Sequence, residues 1–188
     1  LIIGKYLRKH GKLNRETIVS TVMSNLGFEL AIQQEGMKLA RTQVGDRYVL
    51  EEMIAKGYSI GGEQSGHIIL TEHSTTGDGL LTALTLLKAI VEDGRPFSEI
   101  AKVMEEYPQV LVNAKVPNSL KHRILENVAI RARIDHLEKK YAGEGRILIR
   151  PSGTEPLVRV MIEGSDREMI KKDAKELADW IESTIQPD

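Results

Sequence analysis

The chain contains no cysteine. That excludes disulfides, thiolate zinc sites and a cysteine nucleophile, and it fits a reducing cytoplasm. Nor is there an excess of charge of either sign: 26 Lys and Arg stand against 27 Asp and Glu. A general binder of nucleic acid or of a membrane surface carries a basic surplus. Any anion held here must therefore be gripped locally. No apolar run reaches the ~20 residues that a bilayer-spanning helix takes. The longest, "LLTALTLLKAIV" at 80–91, is broken by threonines and Lys88. There is no signal-peptide pattern, internal repeat or low-complexity tract. His10, His73, His122 and His136 show no metal-ligand spacing and read as surface or packing residues.

What is present suffices for a folded core. Of the 188 residues, 41% are hydrophobic, and a domain takes ~100–200 residues, so one large or two small domains fit. The first half alternates strand-like and helix-like segments. "TIVSTVM" (17–23) and "MKLARTQV" (37–44) read as strands. Between them, Ser24 or Asn25 is placed to cap a helix that Gly36 ends. A second helix follows Asp46 and stops at Gly57, and "YSIGG" and "HIILT" form strands around a glycine-rich turn. Residues 77–94 predict a helix apolar nearly all round, hence buried, and "FSEIAKVMEEY" (97–107) a shorter one. Such alternation implies an α/β layer with some parallel pairing.

Composition shifts near Pro108. Beyond it come the strand "PQVLVNAKVP", a long helix capped by Asn118 and running to about Tyr141, the strands "GRILIR" and "LVRVMIEG", and a terminal helix. Ile130, Ile134, Leu137 and Tyr141 share one face of the first helix; Ile170, Ala174, Leu177 and Ile181 form a stripe on the last. Ser165 and Glu168 have capping-box spacing. The order β-α-β-β-α predicts a small antiparallel sheet with helices on one face. The expected domains are 1–107 and 108–188. Because the chain opens inside the helix-like "LIIGKYLRKHG", a piece of a longer protein is expected.

Two turns carry chemistry. In "RPSGTEP" (150–156), Ser152, Gly153 and Thr154 offer hydroxyls and backbone N–H groups between two stiffening prolines. Gly153 allows positive φ and close approach of a ligand, and successive N–H groups can form an anion nest. Arg150 and Arg159 lie just outside the turn, and the planar guanidinium suits phosphate. The same residues fit an ordinary hairpin with surface arginines. In "GGEQSGH" (61–67), three glycines let the chain bend sharply. An ionised Glu63 accepts from two vicinal sugar hydroxyls, Ser65 donates or accepts, and His67 can meet a phosphate or move a proton. A tight hairpin with a solvated glutamate fits equally. "VGDRYV" (44–49) puts Arg47 at a helix start, where it could favour an anion or simply be solvated. Asp78 reads as a helix cap rather than a magnesium ligand.

Taken together, "GEQSGH", "RPSGTEP", "STVMSNLGF" (20–28) and "VGDRYV" resemble the α-D-phosphohexomutase superfamily, and the loop with Gln64 is most similar to its bacterial glucosamine-phosphate branch. The resemblance covers essentially the whole chain. It implies most of the third and all of the fourth of four domains: a mixed-sheet α/β domain, then a small α+β domain with a four-stranded antiparallel sheet. It also implies interconversion of glucosamine 6-phosphate and glucosamine 1-phosphate in a cytoplasmic enzyme of UDP-N-acetylglucosamine synthesis. A phosphoserine, a glucosamine 1,6-bisphosphate intermediate and Mg2+ would take part. Glu63, Ser65 and His67, more weakly Arg47, would meet the sugar; Arg150, Ser152, Gly153, Thr154 and Arg159 would hold the non-reacting phosphate.

The family's nucleophilic serine and Asp-x-Asp-x-Asp-Arg metal loop have no counterpart in these 188 residues. The chain by itself is therefore expected to bind a hexosamine phosphate without turnover. No nucleic acid or membrane is expected as partner. A homodimer is conceivable if the incomplete third domain exposes apolar surface. The alternatives are a glucose- or mannose-phosphate mutase fragment, a sugar-phosphate sensor without chemistry, and a purely structural domain.

Overall fold

The computed structural model describes residues 1–185. The chain divides into two compact units, Leu1–Glu106 and Tyr107–Asp188.

The first unit contains α1 (Ile2–Lys9), β1 (Thr17–Thr21), α2 (Leu26–Gln34), β2 (Lys38–Thr42), α3 (Asp46–Lys56), β3 (Ile60–Gly62), β4 (Ile68–Leu70), α4 (Gly79–Asp93) and the short α5 (Phe97–Ile100). Its sheet runs β2-β1-β3-β4. β1 is parallel to both neighbours, and β3 and β4 form an antiparallel hairpin. Every residue of β1 is buried, as expected of a central strand covered on both faces. Ile18 joins the core formed with α1 and α2, while Val19, on the opposite face, packs with Val49 and Met53 of α3. The capping signals read from sequence at Asn25 and Gly57 operate as expected. Asn25 Oδ1 accepts from Gly27 N at 2.9 Å, and Gly57 ends α3 in the left-handed region.

Two expectations for this unit fail. α5 ends at Ile100 instead of continuing to Tyr107. More consequentially, α4 is not buried. Leu81 and Leu86 pack against the core and Ala89 is enclosed, but Leu80 is 73% and Val91 78% exposed, with Leu84 and Leu87 also open. An all-round apolar helix needs cover on all sides; among the described residues only one side of α4 has it.

The second unit contains β5 (Gln109–Lys115), α6 (Val128–Lys140), β6 (Gly145–Pro151), β7 (Leu157–Gly164) and α7 (Arg167–Thr184). Its antiparallel sheet runs β5-β7-β6. Three strands, not the four that the resemblance implies, are found among the described residues. Val158, Val160 and Ile162 of β7 turn to one face and form a core with Ile130, Ile134 and Leu137 of α6 and Ile170, Ala174, Leu177 and Ile181 of α7. Strand side chains alternate, so Arg159, Met161 and Glu163 belong to the face away from these helices.

Two boundaries differ from the sequence reading. The helix expected from Asn118 begins at Val128. Asn127 caps it, accepting from Ala129 N at 3.0 Å and Ile130 N at 3.2 Å. Residues 118–123 form turns instead, because Leu120 N and Lys121 N bond back to the Pro117 carbonyl. At α7 the cap is Asp166, not Ser165; its carboxylate accepts from Glu168 N and Met169 N. A buried polar cluster ties the helices together: Tyr141 and Lys140 both donate to Asp173 at 2.6 Å. Burial opposes ionisation of Asp173, but these two donors outweigh it and hold the carboxyl below its ordinary range. No helix among the described residues is long and apolar enough to cross a membrane.

Candidate functional site

The register of β6 against β7 builds a candidate site within the second unit. Two arginines of β6 face the side away from the helices, with opposite fates. Arg146 lies across from Glu163, and the two form an ion pair. Arg150 lies across from Arg159. Like charges directly opposite in an antiparallel pair repel. The Nε atoms of both guanidinium groups are buried and have no hydrogen-bond partner among the described residues. Burial, then the neighbouring Arg159 charge, lowers the Arg150 pKa from the ordinary arginine value. Arg159 is partly compensated by Glu155, 3.2 Å away.

Between the arginines runs the turn. Ser152 N donates to the Leu157 carbonyl and Leu157 N to the Glu155 carbonyl, both at 2.9 Å. Ser152 is buried, and its hydroxyl accepts from Glu155 N at 3.2 Å, so it closes the turn from inside. Gly153 and Thr154 are exposed at the tip, and their N–H groups have no partner among the described residues. Gly153 does not use the positive φ that glycine allows. A Cβ there would meet nothing within 4 Å. Neither backbone strain nor packing accounts for this glycine; what it leaves is open space beside two free donors.

A second candidate site lies within the first unit. The β3–β4 hairpin closes through Glu63 N to the His67 carbonyl and Gly66 N to the Glu63 carbonyl, each at 3.0 Å, with Gly66 at φ +97°. One Glu63 oxygen accepts from Gly45 N, at the N-cap of α3, at 2.8 Å. A carboxylate there is favoured by the unsatisfied amides and dipole of the helix start. Ser65 Oγ lies 3.5 Å from the other Glu63 oxygen and 3.2 Å from His67 Nδ1. Glu63, Ser65 and His67 thus form one hydrogen-bonded cluster with an exposed rim. Arg47 is not part of it: its side chain is 79% exposed and pairs with Glu51 at 2.7 Å.

Gly61 and Gly62 serve packing. A Cβ on Gly61 would sit 2.6 Å from Val49 Cγ1 and 2.5 Å from Met53 Sδ, and one on Gly62 would sit 2.8 Å from the His67 carbonyl oxygen. Asp78 caps α4 by accepting from Leu81 N at 2.9 Å. No group of three or more His, Asp or Glu side chains among the described residues is arranged to hold a metal ion. The magnesium implied by the resemblance therefore finds no ligand set among the described residues. Sequence reasoning missed two participants, the Gly45 amide and the buried Lys121, whose ammonium donates to the Ser152 carbonyl at 2.6 Å.

Residues 1–107 match the family described as phosphoglucomutase/phosphomannomutase, alpha/beta/alpha domain III. Residues 111–179 match the C-terminal domain of the same family. The chain belongs to the phosphoglucomutase/phosphomannomutase family. Among its relatives in that family is a phosphoglucosamine mutase of Ruminiclostridium cellulolyticum, 56% identical over 184 residues, which are 98% of this chain and 41% of that protein. Another is a phosphoglucosamine mutase of Caldanaerobacter subterraneus subsp. tengcongensis, 60% identical over 179 residues, or 95% of this chain and 40% of that protein. This phosphoglucomutase/phosphomannomutase-family chain thus spans about two fifths of the length of the curated relatives it matches. Its fold is that of Aspergillus fumigatus N-acetylphosphoglucosamine mutase, solved in complex with GlcNAc-6P and magnesium. The TM-score is 0.77 at 20% identity, covering 98% of this chain and 42% of that one.

Proposed function

We propose that this chain is the substrate-holding part of a phosphoglucosamine mutase, which interconverts glucosamine 6-phosphate and glucosamine 1-phosphate. The observation that carries the reading is the opposed pair Arg150 and Arg159, each with an unpartnered buried Nε, flanking a turn with free N–H groups on Gly153 and Thr154. Such a constellation is costly until a dianion fills it. The identity of 56–60% to phosphoglucosamine mutases over nearly the whole chain supports the choice of substrate.

In this reading the phosphate loop holds the phosphoryl group that is not reacting. Its grip is a fork of guanidinium and amide donors, so it does not depend on which end of the sugar carries the group. Glu63, already anchored through one oxygen to the start of α3, presents the other to ring hydroxyls, and Ser65 sets its direction. His67 lies at the rim, within reach of a hydroxyl proton. These residues bind and orient; the phosphoryl transfer itself is assigned to groups outside this chain, and the chain alone should show no turnover.

Equilibrium titration of the 188-residue chain tests this. Glucosamine 6-phosphate should bind more tightly than inorganic phosphate, by about tenfold for a carboxylate bonded to hydroxyls. Glu63→Gln keeps an acceptor for Gly45 N but should bring the sugar phosphate down to the affinity of phosphate. Glucose 6-phosphate and mannose 6-phosphate serve as competitors. Equal affinity for phosphate and all three sugar phosphates in the unmodified chain would remove the sugar loop from the account. Tighter binding of glucose or mannose phosphate would favour a sister mutase. Interconversion of the two glucosamine phosphates by this chain would contradict its assignment to binding alone.

A further inference from the structure

Lys121 is the most unusual charged residue of the second unit. Lysine is rarely enclosed, yet this one is 5% exposed. Its ammonium donates to the Ser152 carbonyl at 2.6 Å and to the Glu155 carbonyl at 3.2 Å. No carboxylate neutralises it among the described residues; Glu155, the acidic residue of the turn, pairs its side chain with Arg159. A buried ammonium without a counter-ion is expensive. Two neutral acceptors reduce the cost without cancelling the charge.

The surrounding chain is built to keep it there. Val116 N bonds to the Pro156 carbonyl at 3.1 Å, fixing the start of segment 116–121 beside the turn. Lys121 N then bonds to the Pro117 carbonyl at 3.0 Å, which folds the segment back. This is also why the helix expected from Asn118 is delayed to Val128.

The consequence falls on the turn. A trans peptide is planar, so a carbonyl and the N–H of the following residue point in opposite directions. No cis bond occurs in the described chain. Drawing the Ser152 carbonyl to Lys121 therefore aims the Gly153 N–H away from the buried ammonium. That N–H is one of the two donors left free at the tip.

We propose that Lys121 is the positioning residue of the phosphate loop: its ammonium pins the Ser152 and Glu155 carbonyls, aims the Gly153 amide at the anion, and adds a third cation to Arg150 and Arg159. The proposal rests on the reading of this loop as a phosphate site. Lys121 itself does not touch the ligand; it acts through the turn and through its field, which is weakly screened because the group is buried.

The test is a titration of the full chain with inorganic phosphate, followed by 1H–15N spectra. Lys121→Met, which keeps the stem and removes the charge, should weaken phosphate binding about tenfold. It should also move the Gly153 amide signal in the phosphate-free chain, since the Ser152–Gly153 peptide is no longer pinned. Lys121→Arg, which restores charge and donors, should recover binding to within about threefold of the original. The melting curve of each variant reports folding separately. If Lys121→Met does not fold, the unmodified chain still decides. The Lys121 ammonium signal should be protected from exchange and should shift as phosphate is added.

Phosphate bound by Lys121→Met as tightly as by the unmodified chain would overturn the role of Lys121 and leave the loop assignment standing. So would equal losses in the Met and Arg variants together with an ammonium signal indifferent to phosphate. Absence of phosphate binding by the unmodified chain would overturn both.

Discussion

Replacing Arg150 by alanine should weaken binding of inorganic phosphate by about thirtyfold, or ~2 kcal/mol, the scale of a charge-assisted hydrogen bond. In the absence of phosphate the variant should be as stable as the parent, or more so. Both halves follow from the same geometry. Arg150 faces Arg159 across the ladder, and its Nε is enclosed without an acceptor. In the empty site it contributes repulsion and an unmet donor; in the filled site it contributes a fork of bonds to an anion. Removing it should therefore trade affinity for stability, as sites arranged for function commonly do.

Thermal unfolding separates the two effects. Phosphate at about a hundred times its dissociation constant should stabilise the second unit of the unmodified chain by ~2.7 kcal/mol. For a unit of this size that is a rise of about 4–8 °C per kcal/mol. Arg150→Ala should lose most of that rise. Arg150→Lys, which keeps the charge but not the fork, should fall between. Wild-type affinity in the alanine variant would contradict the account, and so would a loss of more than about 1 kcal/mol in phosphate-free stability, since the deletion removes an enclosed donor without an acceptor and a like-charge repulsion.

The second large effect is expected at Gly61. An alanine Cβ there would stand 2.5 Å from Met53 Sδ, 2.6 Å from Val49 Cγ1 and 3.2 Å from Val19 Cβ. All three side chains are fully buried. The thioether of Met53 can swing, but it lies in a filled core. Val49 is β-branched and stiff. To admit the methyl group, α3 must lift from the sheet. Overpacking of this kind costs about 1–3 kcal/mol, and the double clash places it at the upper end.

The first unit of Gly61→Ala should therefore melt at least about 10 °C lower. Because α3 carries the Gly45 amide that anchors Glu63, the sugar loop should loosen as well, seen as faster exchange of the Gly66 amide. Adding Val49→Ala should restore part of the stability, as coupled neighbours do. A Gly61→Ala chain as stable as the parent would show that α3 does not pack on β3 as described.

Much of this architecture can be read from residue periodicity. The stripe Ile170, Ala174, Leu177 and Ile181 is buried as its spacing demands, and Gly57 stops α3 because only the left-handed region lets the chain leave there. Periodicity says what a helix would bury, not what is available to cover it. α4 is apolar nearly all round in sequence, yet Leu80 and Val91 remain open. The helix expected from Asn118 is capped by Asn127 instead, because the stretch between them turns Lys121 inward, a tertiary contact invisible in a one-dimensional pattern.

The site shows the same division. The turn "RPSGTEP" announces itself through its prolines and small polar residues, and the direct opposition of Arg150 and Arg159 can be counted outward from it once the hairpin register is known. The closing role of the Ser152 hydroxyl and the ordinary φ of Gly153 depend on turn geometry that composition does not determine. The bond from Gly45 N to Glu63 joins segments separated by a helix and a strand, so only the folded unit displays it.

The most direct measurement is the phosphate titration of the unmodified 188-residue chain, read nucleus by nucleus. Shifts concentrated on the Gly153 and Thr154 amides and on the Nε–H signals of Arg150 and Arg159 are predicted. Movement elsewhere with those four signals still, or no movement at all, would contradict the claim that the two opposed arginines and the turn between them form an anion site.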